Sequence, residues 1–99
     1  SRLLQGLVTD IGPDALSLQL ENGEMLALEG RSWSYAGEQG FLPQIGDRLR
    51  VSGFYDSSGR FEIAQLENLT SGASLSLQET NGRPVWAAAG RGQGRGRAR

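Results

Sequence analysis

The chain has 99 residues, with 10 basic residues against 11 Asp and Glu, and it contains no Cys and no His. Every basic residue is an arginine. That composition excludes a thiolate nucleophile, an imidazole base, a lysine Schiff base, a disulfide and a Cys/His zinc site. The length allows one modest core. The net charge of −1 conceals a division: residues 1–86 hold 11 acids and six arginines, whereas residues 87–99 hold four arginines and no acid.

Apolar positions alternate with polar ones almost throughout, which predicts strands. Leu3 to Ile11 reads as the first strand, with Gly6 as a bulge or a point of close backbone approach, and Gly12-Pro13-Asp14 turns it. Leu16, Leu18 and Leu20 mark a second strand over 15–21. Asn22-Gly23 predicts a type I′ hairpin turn, because both of its central residues need φ > 0. Leu26 and Leu28 continue the alternation over 24–30. Residues 31–44 show no clean period and hold Trp33, Tyr35 and Phe41 among Gly37, Gly40 and Pro43. A loop of that length carries a short helix or a function, and Ser34 to Gln39 can form one helical turn. Strand 47–55 presents Leu49, Val51, Gly53 and Tyr55 on one face and Arg48, Arg50, Ser52 and Phe54 on the other. Asp56-Ser57-Ser58-Gly59 turns it into strand 60–69. There the apolar positions shift from odd (Phe61, Ile63) to even (Leu66), predicting a bulge near Ala64. A third hairpin joins 74–79 to 84–87 through Asn81-Gly82, with Pro84 marking a strand start or an edge.

A three-strand meander, a longer connection and a hairpin follow one another in the order of an OB-fold, a five-stranded, partly open Greek-key barrel. The expected class is therefore all-β: an OB-like five-stranded barrel with an added C-terminal hairpin over residues 1–88 and a disordered Arg/Gly tail over 89–99. The run Ile45-Gly46-Asp47-Arg48-Leu49-Arg50-Val51-Ser52-Gly53-Phe54, followed by Arg60-Phe61-Glu62-Ile63-Ala64-Gln65-Leu66, resembles the hairpin of small bacterial OB-like domains of unknown function, many of them in envelope proteins. The resemblance implies a noncatalytic binding or structural module, extracytoplasmic and part of a larger or exported protein. The same hairpin is similar to that of periplasmic haem chaperones. Those hold haem on a histidine, and this chain has none, so no cofactor is expected.

The carboxylates fall mainly at turns and on polar strand positions, which is the pattern of a solvated surface. They match no Ca²⁺ loop spacing and form no evident glycosidase pair. The serines lack a G-x-S-x-G elbow and a base to activate them. The G-x-G spacing after Gly90 has no helix to follow it, so it is not a phosphate cradle. Catalytic and metal sites are accordingly not expected, and no run of 18 apolar residues predicts a membrane span.

Two surfaces remain. Trp33, Tyr35 and Phe41 either cap the open end of the barrel or, beside Arg48, Arg50 and Phe54, form a site for a protein or small-ligand partner. Arg91, Arg95, Arg97 and Arg99 suit the alternative, single-stranded nucleic acid bound by charge and stacking. Against that alternative, strands two and three offer Ser17, Gln19, Met25 and Ala27, with Glu21, Glu24 and Glu29 at their ends. That face is short of rings and repels phosphate. Trp86 either plugs the barrel or presents a ring to a partner. Tyr55 and Phe61 are expected in the core.

Overall fold

The computed structural model describes residues 2–78. They form strands β1 (Arg2–Ile11), β2 (Ala15–Leu20) and β3 (Met25–Glu29), helix α1 (Gly30–Glu38), and strands β4 (Arg48–Tyr55), β5 (Phe61–Asn68) and β6 (Ser74–Ser76). All six strands join one antiparallel sheet in the order β3-β2-β1-β4-β5-β6, curled into a half-barrel. The sixth strand is the near arm of the expected C-terminal hairpin: Gln65, Leu66 and Glu67 of β5 pair with Ser76, Leu75 and Ser74 of β6. The far arm of the expected C-terminal hairpin, the Asn81-Gly82 turn, Trp86 and the Arg/Gly tail lie outside the described residues. No helix among the described residues is long and apolar enough to cross a membrane.

The alternation read from the sequence becomes an inner and an outer face. Leu16, Leu18, Leu20, Leu26, Leu28, Leu49 and Val51 are buried inside the curl with Val8, Phe61, Ile63, Leu66 and Leu77. Burying each such side chain contributes about 1.5–3 kcal/mol. The bulge lies where the shift of apolar parity places it: Ser52 pairs with Gln65 and Gly53 with Ile63, so Ala64 is the extra residue. Ile63 and Leu66 thereby both reach the core. Tyr55 departs from expectation. At the end of β4 it is 44% exposed, its ring set edge-on to Phe61 at 5.1 Å with the Arg2 guanidinium 5.4 Å over it.

The β2–β3 turn also differs from the type I′ expectation. Gly23 has φ 90° but Asn22 is not in the left-handed region. The Gly23 N–H donates to the Leu20 carbonyl and the Leu20 N–H to the Glu24 carbonyl, at 2.9 and 2.8 Å. This is a three-residue loop, a right-handed turn closed by one left-handed glycine. The Asn22 Oδ1 is thereby free to accept the Glu24 N–H at 2.9 Å. The β4–β5 hairpin repeats the arrangement with Gly59 at φ 86°. In it the Asp56 Oδ1 accepts the Ser58 N–H at 2.9 Å, the Ser58 hydroxyl at 2.6 Å and the Arg60 N–H at 3.0 Å.

β1 is the shared strand. Leu4 and Gly6 pair with Val51 and Leu49 of β4, while Gly6 and Val8 pair with Leu20 and Leu18 of β2. At Gly6 the backbones close in so tightly that a Cβ would stand 2.5 Å from the Gln19 carbonyl oxygen. The close approach predicted there is what the sheet uses; the register shift of β1 falls instead between Val8 and Asp10. Gly53 faces the Glu62 carbonyl in the same way.

Gly6→Ala is expected to lower the unfolding free energy by about 2–3 kcal/mol, as overpacking against backbone does. Gly37→Ala is the opposite case. It stands in α1 with nothing within 4 Å of the new methyl, and is expected to raise stability by about 0.5–1 kcal/mol. Urea midpoints of the two variants check both signs. Hydrogen bonds from the Ser58 hydroxyl, foremost, and the Arg60 N–H hold Asp56 down to a pKa of about 2. A carboxyl lowered on folding adds stability above its unfolded pKa and loses it as pH falls through the folded value. The neighbouring Glu62 is raised, by burial first and by Asp56 second, so its protonation on acidification acts in the opposite sense. The melting-temperature advantage of the native chain over Asp56→Asn is therefore expected to be full near pH 5 and to shrink between about pH 4 and pH 2.

Candidate functional site

The connection from β3 to β4 is more ordered than the single turn read from the sequence. α1 spans Gly30–Glu38, nine residues, with no side-chain hydrogen bond at its N-cap and no acid in its first turn. Nothing local marks its start; packing sets it, since α1 lies against both β3 and β5 across the opening of the curl. Ala36 on its inner side is fully buried.

The end of α1 is marked in the sequence. The Gly40 N–H donates to the Gly37 carbonyl and the Phe41 N–H to the Ala36 carbonyl, both at 3.0 Å, with Gly40 at φ 89°. This paired closure needs a left-handed residue after the last turn, which glycine supplies without strain. Gly40 followed by Pro43 is the stop signal that would have located it. The closure folds Phe41 back beneath the helix, where its ring meets Trp33 edge to face, centroids 6.4 Å apart at 85°.

The segment after Phe41 is pinned to the sheet. The Val8 N–H donates to the Asp47 carbonyl at 2.9 Å and the Gly46 N–H to the Val8 carbonyl at 2.8 Å. The Asp47 Oδ2 accepts the Gln44 N–H at 2.9 Å and the Asn68 Nδ2 at 2.8 Å. Those two bonds, the backbone one first, hold the Asp47 carboxyl below its ordinary pKa. Asn68, 4% exposed, turns its Oδ1 to the N–H groups of Thr70 and Ser71, both at 3.0 Å.

Between this segment, α1 and the β1–β2 turn lies a cleft of about 420 Å³. Its walls are Ile11, Pro13 and Leu16 on one side and Trp33, Phe41, Leu42 and Pro43 on the other, with Gly12, Gly30 and Gly37 leaving backbone open to it. Ser34 and Asp14 supply its side-chain polar groups. The volume falls within the range of small-ligand sites, roughly 300–1,000 Å³.

The sequence-derived candidates divide between two places. Trp33 and Phe41 come together in the cleft: Trp33 is half-buried against the core and Phe41 is 5% exposed, so each serves both packing and lining. Tyr35 packs partly buried against the core and does not line the cleft. Arg48, Arg50 and Phe54 stand on the outer face of β4, opposite buried Leu49 and Val51. There Arg50 Nε donates to Glu67 Oε1 at 2.8 Å, a half-exposed ion pair worth at most about 1 kcal/mol. Arg91, Arg95, Arg97 and Arg99 lie outside the described residues. Sequence reasoning missed the contribution of Gly12-Pro13-Asp14, read only as a turn. No local signal could have found it, because the contact joins elements some twenty residues apart.

Among the described residues, no group of three or more His, Cys, Asp or Glu is placed to hold a metal ion. No family model matches the chain, and no curated protein or solved structure matches it.

Asn68→Ala is expected to cost about 1–3 kcal/mol, because it removes a buried side chain that partners the Thr70 and Ser71 N–H groups and the Asp47 carboxylate. Amide hydrogen exchange should then quicken at Gln44, Thr70 and Ser71 before it does at Leu18 or Leu28.

Proposed function

We propose that this domain is a noncatalytic recognition module on an OB-like barrel, and that it binds its ligand in the cleft between α1, residues 41–43 and the β1–β2 turn. The observation that carries the reading is the cleft itself: about 420 Å³, walled by Trp33, Phe41, Leu42 and Pro43, and built on segments tied down by the Gly40 closure and the Asp47 hydrogen bonds. A pre-formed, mostly apolar hollow with a few polar groups is the usual form of a small-ligand site. The OB-like assignment draws on the strand order β3-β2-β1-β4-β5, the helix between the third and fourth strands, and β3 approaching β5 across the opening. β6 is then an addition to that barrel.

The chemistry on offer is holding, not turnover. The cleft contains one carboxylate and one hydroxyl, few polar groups of the kind that orient a bound ligand. The single-strand alternative, with Arg91, Arg95, Arg97 and Arg99 assisting, draws less support. The outer β4 face that mixes Arg48, Arg50 and Phe54 spends Arg50 on Glu67.

A fragment screen of small aromatic compounds by NMR on the full 99-residue chain tests the reading. Binders are expected to shift the amides of Gly12, Ser34, Gly37 and Leu42. Ser34→Phe, which places a ring over the cleft from an exposed position, is expected to remove those shifts without lowering the melting temperature. Shifts confined to Arg48, Phe54 and their outer-face neighbours, or an oligonucleotide that binds where no fragment does, would overturn it.

A further inference from the structure

The cleft carries a charge preference as well as a shape. Of the twelve residues that line it, Asp14 alone has an ionisable side chain. Asp14 sits exposed on the β1–β2 turn. Among the described residues no hydrogen bond or ion pair engages its carboxylate. Asp47, Asp56 and Glu67, by contrast, are occupied: Asp47 with Gln44 and Asn68, Asp56 with Ser58 and Arg60, Glu67 with Arg50. Trp33 lines the same cleft, and an indole face attracts cations. The residues flanking the lining positions in the chain add Asp10, Glu29 and Glu38 against the single Arg31. The charge next to the cleft in sequence is therefore net negative, and apolar walls strengthen the field of the Asp14 carboxylate within it.

We infer that the ligand of this cleft is a small organic cation: an ammonium or amidinium group carried on an aromatic or branched aliphatic body. The body fills the space between Pro13, Leu16, Phe41 and Pro43, and the cationic head lies between the Asp14 carboxylate and the Trp33 ring. Burial of the body supplies most of the affinity, while the head decides which ligands are accepted, because a carboxylate facing an anion repels it. This inference rests on the reading of the cleft as the binding site and adds the sign of the ligand's charge.

Three probes of one shape test it on the full chain: 2-phenylethylamine, 2-phenylethanol and 3-phenylpropionate, each titrated near neutral pH and followed at the Trp33 indole N–H and the Gly12 amide. The amine is expected to bind about tenfold more tightly than the alcohol, and the acid more weakly than either. Asp14→Asn should reduce that advantage to about twofold or less, and Asp14→Lys should reverse the order of amine and acid. Both changes are at an exposed turn position, so equal melting temperatures confirm intact folding. The advantage should also fall with added salt. Equal binding of amine and alcohol, or an advantage that survives Asp14→Asn, overturns the charge preference and leaves the cleft as a neutral site. If none of the three binds while the fragment screen finds other occupants, the inference fails alone. If neither experiment places anything in the cleft, the functional reading fails with it.

Discussion

One strand carries the sheet. β1 pairs with β4 over Arg2–Leu7 and with β2 over Gly6–Ile11, so the two halves of the half-barrel are joined through one shared strand. The tightest point is Gly6, where the Gln19 carbonyl occupies the space that a side chain would need. Close approach there lets Leu18, Leu20, Leu49 and Val51 converge on one small core, which a chain this short needs in order to bury enough apolar surface. Beyond Gly6 the same strand changes neighbours. Val8 exchanges backbone hydrogen bonds with Gly46 and Asp47, and β1 thereby fixes the chain that leads back from α1. The cleft inherits its position from that handover.

Much of this was legible in the residues, and the part that was not has a physical reason. Alternating leucines gave the inner face of β2 and β3, because a strand repeats every two residues and its faces follow directly. The change from Ile63 to Leu66 located the bulge at Ala64 for the same reason. The turn at Asn22-Gly23 was placed correctly but typed wrongly. The dipeptide suits a two-residue loop, yet Leu20 and Glu24 close a three-residue one, which requires a left-handed backbone only at Gly23. Helix α1 was reduced to a turn because Gly30, Gly37 and the four serine and aromatic residues Ser32, Trp33, Ser34 and Tyr35 have poor helix propensity. Contacts with β3 and β5 supply what propensity lacks, and such contacts are invisible to a local reading. Tyr55 shows the opposite error. Its parity is that of the core, but at the strand end it is left 44% exposed while its cross-strand partner Phe61 is buried.

The candidate site was half legible in the same sense. A loop dense in rings and glycines drew attention to Trp33 and Phe41, and the fold brings those two into contact. Strand parity put Arg48, Arg50 and Phe54 together, correctly, but on the face turned away from the core, whereas the loop folds over the end of the curl. Nearness in sequence suggested one site where the topology makes two surfaces. The remaining wall, Gly12 to Asp14, belongs to a turn whose only local message is a change of direction.

The strand at the open margin of the sheet has a further consequence for the molecule in concentrated solution. Among the described residues β3 pairs on one side only, with β2, which makes it an edge strand of the described sheet. It is five residues long, and its outward positions are Met25, Ala27 and Glu29, with Glu24 just before it. A ribbon so short, with a negative charge at each end, makes a poor template for another chain to zip onto. That economy of length guards the described edge against stacking into fibres.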